Sequence, residues 1–223
     1  IFLSAFLLFQ LQPILTKLIL PWFGGAAAVW TISLAFYQLA YLLGNLYAHL
    51  LIRRLPPLFS ARLHTILLLA SLLLLPILPS PFWQPRGTED PVWKILGLLA
   101  VTVGAPFLLL SATSPLLQAW QSRGRADARP YRLYALSNAG SLLALLSYPI
   151  LVEPLLSTRH QAWVWSIVYG GFALLCGVVA FQQPTAIIPK TVPSSAVSPN
   201  LKLQLLWLAL AASASALLLG VTR

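Results

Sequence analysis

The sequence predicts an all-α protein, a polytopic integral membrane helix bundle of about seven transmembrane helices. Three observations predict it. Hydrophobic residues fill 59% of 223 positions and charged residues only 8%, whereas a soluble domain is about a quarter charged. Mean hydropathy is +0.83, so a water-facing surface could not be covered with polar groups. Apolar runs long enough to cross hydrocarbon as a helix, roughly 20 residues, recur along the whole chain. These runs are continuous and Leu-rich rather than alternating, which argues for helices over a β-barrel.

Seven spans are expected, over 1–20, 26–52, 62–82, 92–120, 131–155, 162–181 and 201–221. The first is too long for the apolar core of a signal peptide. The chain begins at Ile1 within an apolar run and ends at Arg223 directly after another, so a portion of a longer polypeptide is expected. Lys17, the one cation well inside a span, is close enough to Pro21 and Trp22 to extend its ammonium to the interface. The second span places Gln38, Tyr41, Asn45 and His49 on one helical face. Pro76, Pro79 and Pro81 crowd the end of the third.

The fourth span is long and is expected to break near Pro106 or Ser114-Pro115. Pro115 has no N–H for the carbonyl of Ser111, so a kink is expected there. Ser111, Ser114 and Gln118 share a face. On the fifth span Tyr134, Asn138 and Ser141 align, and Glu153 is the only acid near bilayer depth, with Arg159 its expected partner. The sixth span carries Cys176, which as the single cysteine can form no internal disulfide and has no partner for a Cys metal site. Residues 182–200 form a Pro/Ser-rich linker containing Pro184, Pro189, Pro193 and Pro199, which has little to bury. It separates a six-span block, 1–181, from the seventh span, 201–223, truncated at its end. That span carries a stripe of small residues, Ala209, Ser213, Ala216 and Gly220, suited to close helix packing. Trp22, Trp30, Trp83, Trp93, Trp120 and Trp163 fall at the expected interfaces.

The net charge of +10 does not point to nucleic acid, because the basic residues sit at span ends, where membrane orientation places them. Nine of them (Arg53, Arg54, Arg62, Arg123, Arg125, Arg129, Arg132, Lys190 and Lys202) belong to one side, against five on the other (Lys17, Arg86, Lys94, Arg159 and Arg223). The positive-inside rule therefore puts the N-terminus and the linker in the cytoplasm.

Polar side chains inside spans are costly and need a reason. The second, fourth and fifth spans are expected to meet, bringing Asn45, Ser111, Ser114 and Asn138 into one polar cluster. Gln38, His49, Gln118, Tyr134 and Glu153 complete the candidate set. Either the cluster is a polar groove or proton path, or it is interhelical hydrogen bonding that fixes helix register. No Gly-rich phosphate loop, H-E-x-x-H motif, paired histidine spacing or intramembrane Asp/Glu pair is present. No catalytic residue, cofactor site or metal site is therefore assigned.

Several segments carry a resemblance. They are Pro21 to Trp30, Tyr47-Ala48-His49, Leu108 to Gln118 (with Ser-Ala-Thr-Ser-Pro-Leu-Leu-Gln), Tyr131 to Pro149 (with Tyr-Arg-Leu-Tyr-Ala-Leu-Ser-Asn), Val152-Glu153-Pro154 and Leu217 to Thr222. Together they resemble the membrane domain of bacterial fused major-facilitator/spermidine-synthase-like proteins. The resemblance implies a bacterial inner-membrane location, further spans, and a soluble synthase-like domain outside this portion. Any aminopropyltransferase chemistry would lie in that domain. It also implies handling or export of a small molecule, with polyamine the solute the family name suggests. Electrostatics oppose that solute here, since only Glu153 offers a carboxylate near bilayer depth. The alternative is a non-catalytic accessory subunit of a larger membrane complex, such as a respiratory or photosynthetic assembly. A small-molecule handler should show a polar cavity between the second, fourth and fifth spans. An accessory subunit should show those polar groups paired with one another.

Overall fold

A computed structural model of the chain describes residues 1–25, 27–85, 87, 90–124, 130–182 and 200–221. Every regular element among them is helical. Among the described residues six helices are long and apolar enough to cross a membrane: Phe2–Phe23, Ala27–Arg54, Pro57–Leu74, Pro91–Trp120, Tyr131–Leu155 and Thr158–Val178. The chain divides into two units, Ile1–Ile187 and Ile188–Arg223. In the second, helix α9 (Leu201–Val221) covers the expected seventh span. The linker expectation falls on residues 183–199, outside the described residues, as do Arg86, Arg125, Arg129, Lys190 and Arg223.

In the first unit, α1 (Phe2–Ile19) runs into a 3-10 turn at Leu20–Phe23 and stops at Gly24. Gly24 (φ 76°) and Gly25 (φ 68°) hold the left-handed backbone that an L side chain rarely adopts, so the chain can reverse into α2 (Ala27–Arg54). Helix α3 (Pro57–Ser71) starts on Pro57, whose missing N–H costs nothing in a first turn. A 3-10 turn at Leu72–Leu74 follows, and Leu75 is extended ahead of Pro76 (φ −85°, ψ 151°). The third span therefore lies earlier than expected. Phe82 belongs to a separate 3-10 turn, Pro81–Trp83.

Asp90 caps α4 (Pro91–Leu99) by accepting from the Val92 N–H at 2.8 Å. The π-helical turn Ala100–Gly104 links α4 to α5 (Ala105–Gly124). Helical structure is continuous over Pro91–Trp120, 30 residues, with no interruption at Pro106 or at Ser114-Pro115. The departure from α geometry comes just before Pro106, in a wider turn that accommodates the missing donor. Pro115 sits inside α5. Helix α6 (Pro130–Ser147) passes through a second π turn, Tyr148–Val152, containing Pro149, into the short α7 (Glu153–Leu155). Helix α8 (Thr158–Gln182) closes the unit.

Named contacts give the helix directions. Against α6, Phe2 meets Gly140, Gln10 Nε2 donates to Ala144 O at 2.9 Å, and Lys17 pairs with Glu153, so α1 and α6 run parallel. Against α5, Tyr37 meets Phe107, Gly44 meets Ser111, and Ala48 packs with Ala112 and Leu116, so α2 and α5 also run parallel. Helix α3 runs antiparallel to both α5 (His64 to Thr113, Ser60 to Trp120) and α8 (Thr65 near Gly177, Ser71 to Tyr169). The spans Phe2–Phe23 and Pro91–Trp120 are each 56% buried, against 17% for Tyr131–Leu155, so α1 and α5 form the centre.

Helix α2 shows how the packing is set. Its inward stripe is Ala40, Gly44 and Ala48, while Leu39, Leu42 and Leu46 face outward at 56%, 63% and 49% exposure. Small residues inward and leucines outward reverse the soluble pattern, and small residues let helix backbones approach closely. A Cβ on Gly44 would overlap Ser111 Oγ and stand 2.6 Å from the carbonyl oxygen of Leu108. Gly44→Val should therefore force α2 off α5 and cost about 1–3 kcal/mol. Gly170→Ala, where an added Cβ meets nothing within 4 Å, should leave thermal stability in detergent unchanged or slightly raised. Equal melting temperatures for the two variants would contradict this packing.

Candidate functional site: a polar cleft between two helix pairs

The parallel pairs α1·α6 and α2·α5 leave a cleft of about 330 Å³ between them. Its floor comes from α1 (Ser4, Ala5, Leu8, Phe9) and from Leu110, Ser111, Ser114, Pro115 and Gln118 of α5. One wall is Tyr41 and Asn45 of α2, and the other is Tyr134, Ser137, Asn138 and Ser141 of α6. Spacings of three and four residues put each set on a single helical face, so the cleft follows from periodicity once the helices are placed.

The hydrogen bonds show what this cleft leaves unused. Several hydroxyls donate to carbonyls of their own helix: Ser4 to Ile1 at 2.8 Å, Ser111 to Leu108 at 2.7 Å and Ser141 to Ser137 at 3.1 Å. Gln118 Nε2 donates to Ser114 Oγ at 3.2 Å. Asn45 donates to the carbonyl of Tyr41 at 2.8 Å and leaves its amide oxygen free among the described residues. The Asn138 amide and the Tyr41 and Tyr134 hydroxyls make no hydrogen bond among the described residues, and all three side chains are exposed to the cleft.

Of the nine candidates, Asn45, Ser111, Ser114, Gln118, Tyr134 and Asn138 line this cleft. Gln38, His49 and Glu153 do not. Gln38 and His49 lie on α2 to either side of the Tyr41–Asn45 turn and are exposed there. At roughly 1.5 Å per residue, Gln38 lies about 4.5 Å along the axis from Tyr41 and His49 about 6 Å from Asn45. Glu153 sits at the far end of α1, where it pairs with Lys17 rather than Arg159. The reason is the parallel packing of α1 and α6, which brings the ends of both helices together. Lys17 Nζ also stands 5.5 Å from the centre of the Tyr148 ring. Its charge is thus met by a carboxylate and an aromatic face.

A second polar cluster escaped the sequence reading. His64 on α3 is 2% exposed. Thr113 Oγ1 donates to the carbonyl of Leu109 at 2.8 Å, so toward His64 Nε2, 3.1 Å away, it accepts. The ring therefore carries its proton on Nε2, and Nδ1 accepts from Tyr47 OH at 3.4 Å. Trp120 Nε1 donates to Ser60 Oγ at 2.9 Å beside it. The signal was a histidine in an apolar run. With the third span expected to start at Arg62, His64 fell at its edge. A start at Pro57 puts it two turns inside.

The two clusters differ in what they hold. Among the described residues no three His, Cys, Asp or Glu side chains come together as metal ligands. The His64 cluster is paired and ties α2, α3 and α5, while the cleft is open and partly unpaired. His64→Leu should cost about 1–3 kcal/mol by removing buried hydrogen bonds. Asn138→Leu should stay within about 0.5 kcal/mol, as an exposed site without partners does. Thermal unfolding of both variants in lipid nanodiscs checks the ranking, and the reverse order would contradict it. No protein-family model, curated protein or solved structure matches this chain.

Proposed function

We propose that the chain is a multi-pass domain of a bacterial inner membrane, and that the cleft between α2 and α6 receives a small molecule for handling or export. The observation that carries the proposal is the cleft's stock of amide and hydroxyl groups that make no hydrogen bond among the described residues. Polar groups without partners cost several kcal/mol in hydrocarbon, roughly 2–7 depending on reference state. Helices that face lipid with leucine on α2 and α6 do not place asparagines between them without water or a ligand. An accessory subunit, the alternative, calls for these groups to be paired with one another, and Asn138, Tyr41 and Tyr134 favour the first reading. The resemblance to fused major-facilitator/spermidine-synthase-like proteins agrees with it, and any transferase chemistry would lie outside this chain. The bilayer is the proposed partner, with further membrane subunits compatible with the remaining apolar faces.

The proposed orientation puts Arg53 and Arg132 on the cytoplasmic side and Arg159 on the other. In a Cys176→Ser background, an impermeant thiol reagent added to intact cells should label a cysteine at 159 and spare those at 53 and 132. Labelling of the latter two from outside would reverse the topology. For the site itself, a panel of small polar solutes should contain at least one that raises the thermal stability of the protein in nanodiscs. Ser114→Leu, which puts a longer apolar side chain on the cleft floor, should remove that gain. A panel with no shift sensitive to Ser114→Leu would count against a binding cleft.

A further inference from the structure

We propose that the cleft selects an uncharged ligand carrying several hydroxyl or amide groups, on the scale of a monosaccharide or cyclitol, an inference that rests on the small-molecule reading above. Charge comes first. Among the described residues the lining contains no Asp, Glu, Lys, Arg or His. The described carboxylates are engaged elsewhere, Asp90 as the cap of α4 and Glu153 with Lys17. A polyamine would bring several ammonium charges to a place with no counter-charge among the described residues. The exposed Tyr41 and Tyr134 rings would return only weak cation–π attraction. An anion fares no better, since Arg132 is exposed on α6 and is not part of the lining.

The unused hydrogen-bonding groups are of both kinds. The Asn138 amide and the Tyr41 and Tyr134 hydroxyls can both donate and accept. The Asn45 amide oxygen can only accept, and so can Ser111 Oγ, whose proton goes to Leu108 O. A phosphate oxygen at neutral pH mostly accepts and would leave Asn45 Oδ1 and Ser111 Oγ unmet, while an ammonium group only donates and would leave the Asn138 N–H donors unmet. Alcohols and amides do both. Size agrees: 330 Å³ lies at the small end of the roughly 300–1,000 Å³ range of small-molecule pockets, the scale of a monosaccharide rather than a drug-sized ligand. The two tyrosine rings can cover the apolar faces of such a ring while their hydroxyls meet its edge. The same chemistry occurs in a free polyol and in the headgroup of a neutral glycolipid.

The test uses the whole chain in phosphatidylcholine nanodiscs, free of sugar-headed detergent, with equilibrium binding read by calorimetry and by thermal shift. The probes are myo-inositol, methyl glucoside, spermidine and inorganic phosphate, with monoglucosyl diacylglycerol added to a second set of nanodiscs. Binding of myo-inositol or methyl glucoside is expected. Tyr134→Phe and Asn138→Leu should each weaken it about three- to tenfold, the loss of one or two neutral hydrogen bonds, without moving the ligand-free melting temperature. Binding only in the glycolipid discs, with the same sensitivity to both variants, also supports the ligand class and assigns its source to the bilayer. If spermidine or phosphate binds instead and Asn138→Leu weakens it, the ligand class is overturned while the cleft stands as a site. If no probe binds and neither variant changes any thermal shift, both the class and the small-molecule reading fall.

Discussion

Two close backbone approaches govern this bundle. Gly44 lets α2 lie against the Leu108 carbonyl and Ser111 of α5, and Gly140 brings α6 so near α1 that an added Cβ would stand 2.5 Å from Phe2 O. Each approach locks a parallel helix pair. Because the members of each pair are held tightly, the space between pairs cannot be closed by drawing α2 or α6 inward. The cleft is what remains. Its position near the start of α1 follows from where the glycines fall, and its depth from the small side chains Ser4, Ala5, Ser111 and Ser114 on the two central helices. Without a hydrophobic drive between helices in lipid, such packing contacts are what fix helix positions.

The polar residues sort by that geometry. Where α2, α3 and α5 come together, Tyr47, His64 and Thr113 bond to one another, and Ser60 and Trp120 complete the closed face. At the opposite end of α1 from the cleft, Lys17, Glu153, Tyr148 and Gln161 form a linked set, with Tyr148 OH donating to Gln161 Oε1 at 3.2 Å. Both sets are satisfied within the protein and account for helix register. The cleft differs because its two walls share no hydrogen bond among the described residues: Asn45 donates to the Tyr41 carbonyl and Asn138 makes none. The bundle thus separates polar groups that hold it together from polar groups left available.

Much of this was legible in the sequence. Composition and run length identified the helical spans. The spacing rule recovered the faces Ser111/Ser114/Gln118 and Tyr134/Asn138/Ser141, because an α-helix carries its own ruler. The second, fourth and fifth spans line one cleft, but the reasoning that each asparagine would find a neighbour there did not predict Asn138, which makes no hydrogen bond among the described residues. What was not legible depended on tertiary packing. The contribution of α1 to the floor was hidden because Ser4 and Ala5 look like ordinary residues of an apolar run. The Lys17–Glu153 pair needed the parallel direction of α1 and α6, whereas local reasoning offered the nearer Arg159. His64 was missed through a boundary error in a proline-rich stretch, where one misplaced helix start moved a buried histidine to the edge of its span.

The central claim is that Asn138 faces a water-accessible cleft while the opposite side of α6 faces hydrocarbon. Spin labels at 138 and at Leu136, which lies about 160° away around the helix and is 45% exposed, would test it in a Cys176→Ser background in lipid. Power-saturation measurements should find the label at 138 accessible to a water-soluble nickel chelate and the label at 136 accessible to oxygen but not to the chelate. Oxygen accessibility at 138 equal to that at 136, with no response to the chelate, would place Asn138 against the membrane and contradict the account.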